Sequence, residues 1–229
     1  LTDIELAKNL NSKGILINDG GNLDTTELSV SNSELLPFIA LETNQWRMIY
    51  EFLKLESRTG KISRKTHETD IEISLNLDGT GQSNIDTGIA FFDHMLDQIA
   101  RHGQMDLDIK VNGDLEVDEH HTIEDVAIAL GDAFKQALGE RKNIERYSSN
   151  ESLVMDETIS NVSIDMSSRN LFKMKTSKLR EYVGDFPTEM FEHFFISFVN
   201  TLSFTCHIDT KGTNSHHIVE ATFKSFTRA

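Results

Sequence analysis

Six of the nine histidines in this 229-residue chain fall into one arrangement written twice. The first copy is His94 followed by His120, His121 and Glu124 in the string HHTIE. The second is His193 followed by His216, His217 and Glu220 in HHIVE. From the lone histidine to the pair is 26 positions in one copy and 23 in the other. Imidazoles and carboxylates at repeated spacing form the donor set of a borderline divalent metal, so the duplicated set predicts two metal sites. One adjacent histidine pair would read as hydrogen-bonded side chains at a helix end. Two pairs, each with glutamate at the same offset and a lone histidine upstream, do not.

Helical geometry divides these donors. Positions i and i+3 share a face, so His121 with Glu124 can reach one ion, as can His217 with Glu220. Adjacent residues diverge by roughly 100° about a helix axis, so the two members of each histidine pair are expected to feed different ions. Shared evenly, the donors give four protein ligands per ion, and an octahedral ion keeps two positions open for substrate or water. With no thiolate in the set, Mn2+ or Fe2+ suits such a site, and Zn2+ could occupy it.

The elements that must position these groups can be read from periodicity. Ile71, Ile73, Leu75 and Leu77 alternate with polar residues as a half-buried strand does. A helix is expected around His94 to Ala100, ended by Gly103, then a strand through Leu107, Ile109 and Val111. A second helix is expected from about Thr122 to Leu138, stopped by Gly139. The same order returns: Val162, Ile164 and Met166, then Phe172 and Met174, alternate; a helix following Pro187 carries His193; Phe204, Cys206 and Ile208 alternate; and a last helix holds Glu220. The expected fold class is α+β, with two similar halves from an internal duplication, each a small mixed sheet packed on two helices.

Residues 1–60 read differently. Thr2 to Ile17 looks like a short helix, a stop at Gly14 and a buried strand from Ile15 to Ile17. Asp19 to Asn22 form a loop, and Trp46 to Leu55 has helical spacing. No catalytic constellation falls there.

Composition narrows the function. A formal charge of −15 argues against nucleic acid, whose phosphates need a dense basic surface. No apolar run is long enough to span a bilayer and no export signal is visible, so no membrane partner is expected. A single cysteine, Cys206, excludes an internal disulfide and fits a reducing, cytoplasmic setting.

The strings GTGQSNIDTGIAFFDHMLDQIARHG, GDLEVDEHHTIEDVAIALGDAF, VGDFPTEMFEHFFISF and SHHIVEATFKSFTRA resemble imidazoleglycerol-phosphate dehydratases over about residues 61–229, with halves at about 61–147 and 148–229. The resemblance implies a lyase of histidine biosynthesis that removes water from imidazole glycerol phosphate to give imidazole acetol phosphate. It also implies two Mn2+ ions per active site, and a homo-oligomer of up to twenty-four subunits with active sites between subunits. It would give one ion His94, His121, Glu124 and His217, and the other His120, His193, His216 and Glu220. Glu68, in THETDIEI, matches a glutamate that contacts substrate or transfers a proton, and Gln98 matches a substrate-contacting position. Arg146, Arg169 and Lys224 match basic residues near the phosphate, for which an arginine fork is well shaped. Without the resemblance, all five would read as ordinary solvated side chains.

Asp156 and Glu157 fall in a further family motif and are read as structural supports, as are His102 and His207. Asp93 and Asp125, beside ligands, are expected to orient them. RKNIERYS and SSRN depart from the family's runs around Arg146 and Arg169, and Ala229 falls inside the last helix, short of a lysine-bearing tail.

Residues 1–60 resemble the C-terminal remnant of a phosphatase domain of the haloacid dehalogenase type, the histidinol-phosphate phosphatase fused to some of these dehydratases. The nucleophilic aspartate motif of that domain is not in the chain, so no phosphatase activity is expected of it, and partial disorder is expected for lack of a full sheet.

For the dehydration, the proton on carbon beside the imidazole ring is not acidic. The expectation is that the ring supplies electron density to expel a hydroxyl, the metals acting as Lewis acids and template while Glu68 handles protons. Glu124 and Glu220 count among the catalytic groups as ligands. Two other readings compete: a two-metal hydrolase, for which no bridging aspartate motif stands out, and a metal-dependent assembly protein without turnover.

Overall fold

The computed structural model describes residues 1–21, 25–53, 58–142, 144–147 and 152–229. The chain divides into two compact units, Leu1–Glu56 and Ser57–Ala229.

In the first unit, α1 (Thr2–Asn9) precedes β1 (Gly14–Ile17), and α2 (Asn32–Leu35) leads through a 3-10 turn to β2 (Ile39–Thr43) and α3 (Trp46–Leu53). β1 and β2 pair in parallel. Gly14 opens the strand rather than stopping the helix; the left-handed turn after α1 is made by Asn11, whose short amide tolerates φ of 53°. Asn22 and Leu55, assigned above to a loop and to a helix, lie outside the described residues. Ile4, Leu16 and Leu35 form a small core, while Trp46, Tyr50 and Leu53, one face of α3, stay exposed.

The second unit holds β3 (Thr59–Lys65), β4 (Thr69–Asn76), β5 (Ser83–Asp86), α4 (Ala90–Gly103), β6 (Asp106–Gly113) and α5 (His120–Leu138). Then come β7 (Leu153–Met155), β8 (Thr158–Asp165), β9 (Leu171–Thr176), the short hairpin of β10 (Tyr182–Val183) and β11 (Phe186–Pro187), α6 (Glu189–Leu202), β12 (Thr205–Lys211) and α7 (Ser215–Arg228). One sheet is ordered β3-β4-β6-β5 and the other β7-β8-β12-β9. The two share one topology, in which β5 runs parallel to β6 and β9 to β12, and every other pairing is antiparallel. The fold is α+β, built of two similar halves.

Alternation explains the sheets. Ile71, Ile73 and Leu75 face inward beside Leu107 and Ile109, and Val162 beside Cys206 and Ile208. Helices α4 and α5 cover the first sheet and α6 and α7 the second, so four helices lie between two sheets. The helix pairs cross between halves: α4 packs on α7 and α5 on α6. Gly131 permits the second crossing, since a Cβ there would stand 2.8 Å from Thr201 Cβ. Phe92, Phe191, Phe194, Phe195, Phe198 and Phe223 fill the shared core. Among the buried polar side chains, Ser160, Thr210 and Thr222 satisfy one another: Ser160 and Thr210 at 2.7 Å, Thr210 and Thr222 at 2.8 Å.

Helix starts differ from the sequence reading. α4 begins at Ala90 rather than near His94, and α5 begins at His120, so both paired histidines sit in its first turn. Pro187 belongs to β11, ahead of the cap residue Thr188, where its missing N–H also costs nothing. Among the described residues no helix is long and apolar enough to cross a membrane.

Candidate metal centres and the groups around them

The crossed helix pairs decide which donors meet. His94, near the start of α4, faces the start of α7, where His216 and Glu220 project: His216 Nε2 lies 3.0 Å from Glu220 Oε2 and His94 Nε2 lies 3.7 Å from Oε1. His193 on α6 faces the start of α5. There both His193 Nε2 and His120 Nε2 lie 3.3 Å from Glu124 Oε2. Within each group the donor atoms all lie within 4.8 Å of one another. Each group therefore draws on both halves.

The pairing along the helices is i to i+4, His120 with Glu124 and His216 with Glu220, rather than the i to i+3 pairing expected above. Four residues return a helix to within about 40° of the starting direction, whereas three leave it about 60° short. His121 and His217 consequently point away from both groups. His121 Nδ1 lies 3.0 Å from Asp114 Oδ2, and His217 Nδ1 lies 2.8 Å from Glu157 Oε2.

The helix ends that carry the histidines are held by carboxylates and amides. Asp118 Oδ1 accepts from His120 N–H and Asn214 Oδ1 from His216 N–H, both at 2.9 Å. Asp185, from the turn between β10 and β11, accepts from the N–H groups of Ala90 and Phe91 at 2.6 and 2.9 Å, fixing the start of α4. Phe91 places its ring edge against both His94 and His216.

Electrostatics follow these contacts. The Asp114 carboxylate raises the His121 imidazolium above its ordinary range, and Glu157 does the same for His217. Glu157 is itself pulled down to about 2, His217 being the chief cause. Burial alone would raise Glu220, but Lys224, His94 and His216 together outweigh it and hold the carboxyl low. Burial drives the Cys206 thiol up to about 12, which leaves it inert.

The other expected site residues are spread more widely. Gln98 is buried and its amide donates to His94 O at 3.0 Å, with His94 Nδ1 at 3.3 Å. Lys224 Nζ donates to Glu220 Oε1 at 2.7 Å. Glu68 is exposed in the turn between β3 and β4, in a cleft that Asp114 also lines. Arg146 forks onto Asp165 at 2.6 and 3.0 Å, and Arg169 stands 3.6 Å from the same carboxylate. Asp165 ends β8, and Glu157 immediately precedes it, so about 23 Å of strand separates these arginines from His217. A single chain does not bring them to its own histidine groups.

Asp93 and Asp125 do not orient ligands. Asp93 accepts from Thr87, and Asp125 binds Arg64, Thr66 and Thr69. A helix position next to a ligand points the carboxylate down a different face. Asp114, which does hold a histidine, gave no sequence signal because a loop carries it back. Asp185 gave none either, since the N–H groups it accepts from lie far back along the chain.

Residues 87–229 match the family described as imidazoleglycerol-phosphate dehydratase. The chain belongs to the imidazoleglycerol-phosphate dehydratase family. The histidine biosynthesis bifunctional protein HisB of Spirosoma linguale is 47% identical over 100% of this chain and 60% of its own length. The imidazoleglycerol-phosphate dehydratase of Vesicomyosocius okutanii is 50% identical over 74% of this chain and 88% of its own. The chain thus spans about 60% of the bifunctional relatives. The crystal structure of imidazoleglycerol-phosphate dehydratase from Staphylococcus aureus aligns with a TM-score of 0.67 at 35% identity, covering 75% of this chain and 95% of that one. That likeness agrees with the duplicated α+β halves seen in this dehydratase-family chain.

Proposed function

We propose that this chain is a carbon–oxygen lyase that dehydrates imidazole glycerol phosphate to imidazole acetol phosphate in histidine biosynthesis, using two Mn2+ ions per active site. The observation that carries the reading is the pair of His-His-Glu groups, each one ligand short of the four that the donor count allows. His193 Nε2 supports it: the atom is buried, lies 3.3 Å from Glu124, and makes no hydrogen bond among the described residues. A buried imidazole lone pair without a proton to accept is costly, and an ion between these donors would satisfy it. The donor set, two imidazoles and one carboxylate with no thiolate, fits Mn2+. His94, His216 and Glu220 would hold one ion and His120, His193 and Glu124 the other, a different division from the one the resemblance implied.

His121 and His217 are the natural fourth ligands, and each is turned outward from its own chain's groups. We read them as donated to neighbouring copies, which makes the active unit a homo-oligomer. The separation of Arg146 and Arg169 from the histidines supports the same reading, because a neighbour would have to bring them to the substrate's phosphate. When bound, the ions supply Lewis-acid polarisation and a template for the imidazole. Glu68, its carboxylate exposed in the cleft, takes a proton from carbon and passes it to the departing hydroxyl, which leaves as water while the carbon–carbon double bond forms. Arg146, Arg169 and Lys224 hold the phosphate, and Gln98 holds His94 and contacts substrate, converting binding energy into orientation.

We read the first unit as belonging to the phosphatase-type domain that the resemblance implied, and the alignment with the Spirosoma protein, which extends over it, supports that reading. A cytoplasmic setting fits the single cysteine, which stays reduced there.

The test is a titration of Mn2+ into metal-stripped chain, following molecular mass and dehydration of imidazole glycerol phosphate together. Ion-dependent dehydration is the expected result. Assembly without turnover would favour a purely structural ion, and ester hydrolysis without dehydration a two-metal hydrolase. Full turnover without metal would sink the proposal.

A further inference from the structure

The duplication is broken at one functional point. β3 and β4 are joined by the two-residue turn His67-Glu68, closed by Thr66 N–H donating to Thr69 O at 2.8 Å. β7 and β8 are joined by Asp156-Glu157, between the paired residues Met155 and Thr158. Thr69 stands opposite Gly113 in its sheet. Thr158 stands against Gly212 in the other, so close that a Cβ on Gly212 would meet Thr158 Oγ1 at 2.1 Å. Glu68 and Glu157 therefore occupy the same position in the two halves.

Their carboxylates are used differently. Glu157 is fully engaged: Oε2 accepts from His217 Nδ1 at 2.8 Å and Oε1 from Asn214 N–H at 3.0 Å. In the first half the equivalent histidine, His121, is held from another side, by Asp114 in the loop between β6 and α5. The matching residue of the second half, just after Gly212, is Thr213, which has no carboxylate to offer. Among the described residues no hydrogen bond or ion pair engages the Glu68 carboxylate, although it lines one cleft with Asp114.

We propose that Asp114 is a positioning residue that takes over, in the first half, the histidine-holding task Glu157 performs in the second, and so leaves Glu68 free to move a proton. An imidazole that donates Nδ1–H to a carboxylate is fixed in ring orientation and in tautomer, with the Nε2 lone pair presented outward. Glu157 and Asp114 each impose that state on an outward-turned histidine. If both halves used the turn glutamate, the site would hold two well-oriented histidines and no free carboxylate at either turn.

The inference rests on the two-ion reading above, and Mn2+ affinity measured from the electron paramagnetic resonance signal of free Mn2+ tests it without turnover. Asp114→Ala is expected to weaken Mn2+ binding by about 10–100-fold, the usual cost of losing an outer partner of a ligand. Asp114→Asn, which keeps an acceptor oxygen, is expected to recover most of that affinity. Glu68→Gln is expected to leave Mn2+ affinity unchanged in the otherwise native chain. In the Asp114→Ala background it should lower affinity further, because there Glu68 has swung onto His121. Turnover of Asp114→Ala at saturating Mn2+ should stay low for the same reason. Equal Mn2+ affinity in native chain and Asp114→Ala, or the same effect of Glu68→Gln in both backgrounds, overturns the positioning role. A native chain with no Mn2+ affinity overturns the two-ion reading instead, and the inference with it.

Discussion

Lys224 Nζ donates to Glu220 Oε1 at 2.7 Å, one turn along α7, while the other oxygen of the same carboxylate lies 3.0 Å from His216 Nε2. Both partners are largely shielded from solvent, with side chains 20% and 13% exposed. Removing one partner would strand the other in a poorly hydrated site, so Lys224→Met is expected to cost roughly 1–3 kcal/mol at neutral pH. Urea denaturation of the metal-free protein measures it; an unchanged midpoint would refute the ion pair's role.

The Glu157–His217 pair predicts a pH window. Glu157 is held near 2, below its ordinary 4.5, so its contribution is present above that ordinary value and is lost as pH falls toward 2. His217 is raised above 6.5, so its contribution is complete below 6.5 and is lost as pH rises through the folded value. Metal-free protein should gain most from the pair between about pH 4.5 and 6.5. Thermal midpoints across pH should show both limbs, and His217→Ala should flatten both. An unaltered profile in that variant would count against the contact.

If outward-turned histidines serve neighbouring copies, inactive chains should rescue one another. His193→Ala removes a residue of an internal group, and the double variant His121→Ala/His217→Ala removes the donated ligands. Each alone should lose metal and turnover. Mixed, stripped of metal and reassembled with Mn2+, they should regain part of the native rate, because some interfaces then combine intact groups with intact donors. Absence of any regained rate would mean that all ligands come from one chain.

Arg146 and Arg169 converge on Asp165, and the partly exposed pair leaves N–H donors for an anion. Loss of one charge-assisted contact of about 1.5–3 kcal/mol corresponds to roughly 10–100-fold. Arg169→Ala should therefore raise KM by about that factor with Mn2+ affinity unchanged. A variant that loses Mn2+ but keeps its KM would place the arginine elsewhere in the mechanism.

Phe194 follows His193 on α6 and is fully buried against Phe92, Phe195 and Phe223, so it joins the halves beneath the site. Phe194→Ala is expected to cost about 3–5 kcal/mol of stability. Chemical denaturation measures the loss; a cost below about 1 kcal/mol would mean the core refills the space.

Much of the fold was legible. Ile71, Ile73 and Leu75 announce β4 by alternation, and the recurrence of strand and helix patterns around two HH-x-x-E strings announces the halves. The starts of α4 and α5 were less legible, because their first turns are fixed by Asp185 and Asp118 rather than by apolar spacing. Asp114 carries no sequence signal, and Asp93 beside His94 gives a misleading one, for a related reason: adjacency in sequence does not set the direction of a side chain.

The donors, their duplication and the need to split each histidine pair are written in the chain, since roughly 100° per residue is a property of any helix. Which donors meet is a matter of helix packing. α4 packs on α7 and α5 on α6, so each lone histidine reaches the paired residues of the other half rather than its own. No local rule carries that choice. It is made by the burial of phenylalanines from both halves in one core, which fixes the helix crossing and with it the composition of each group.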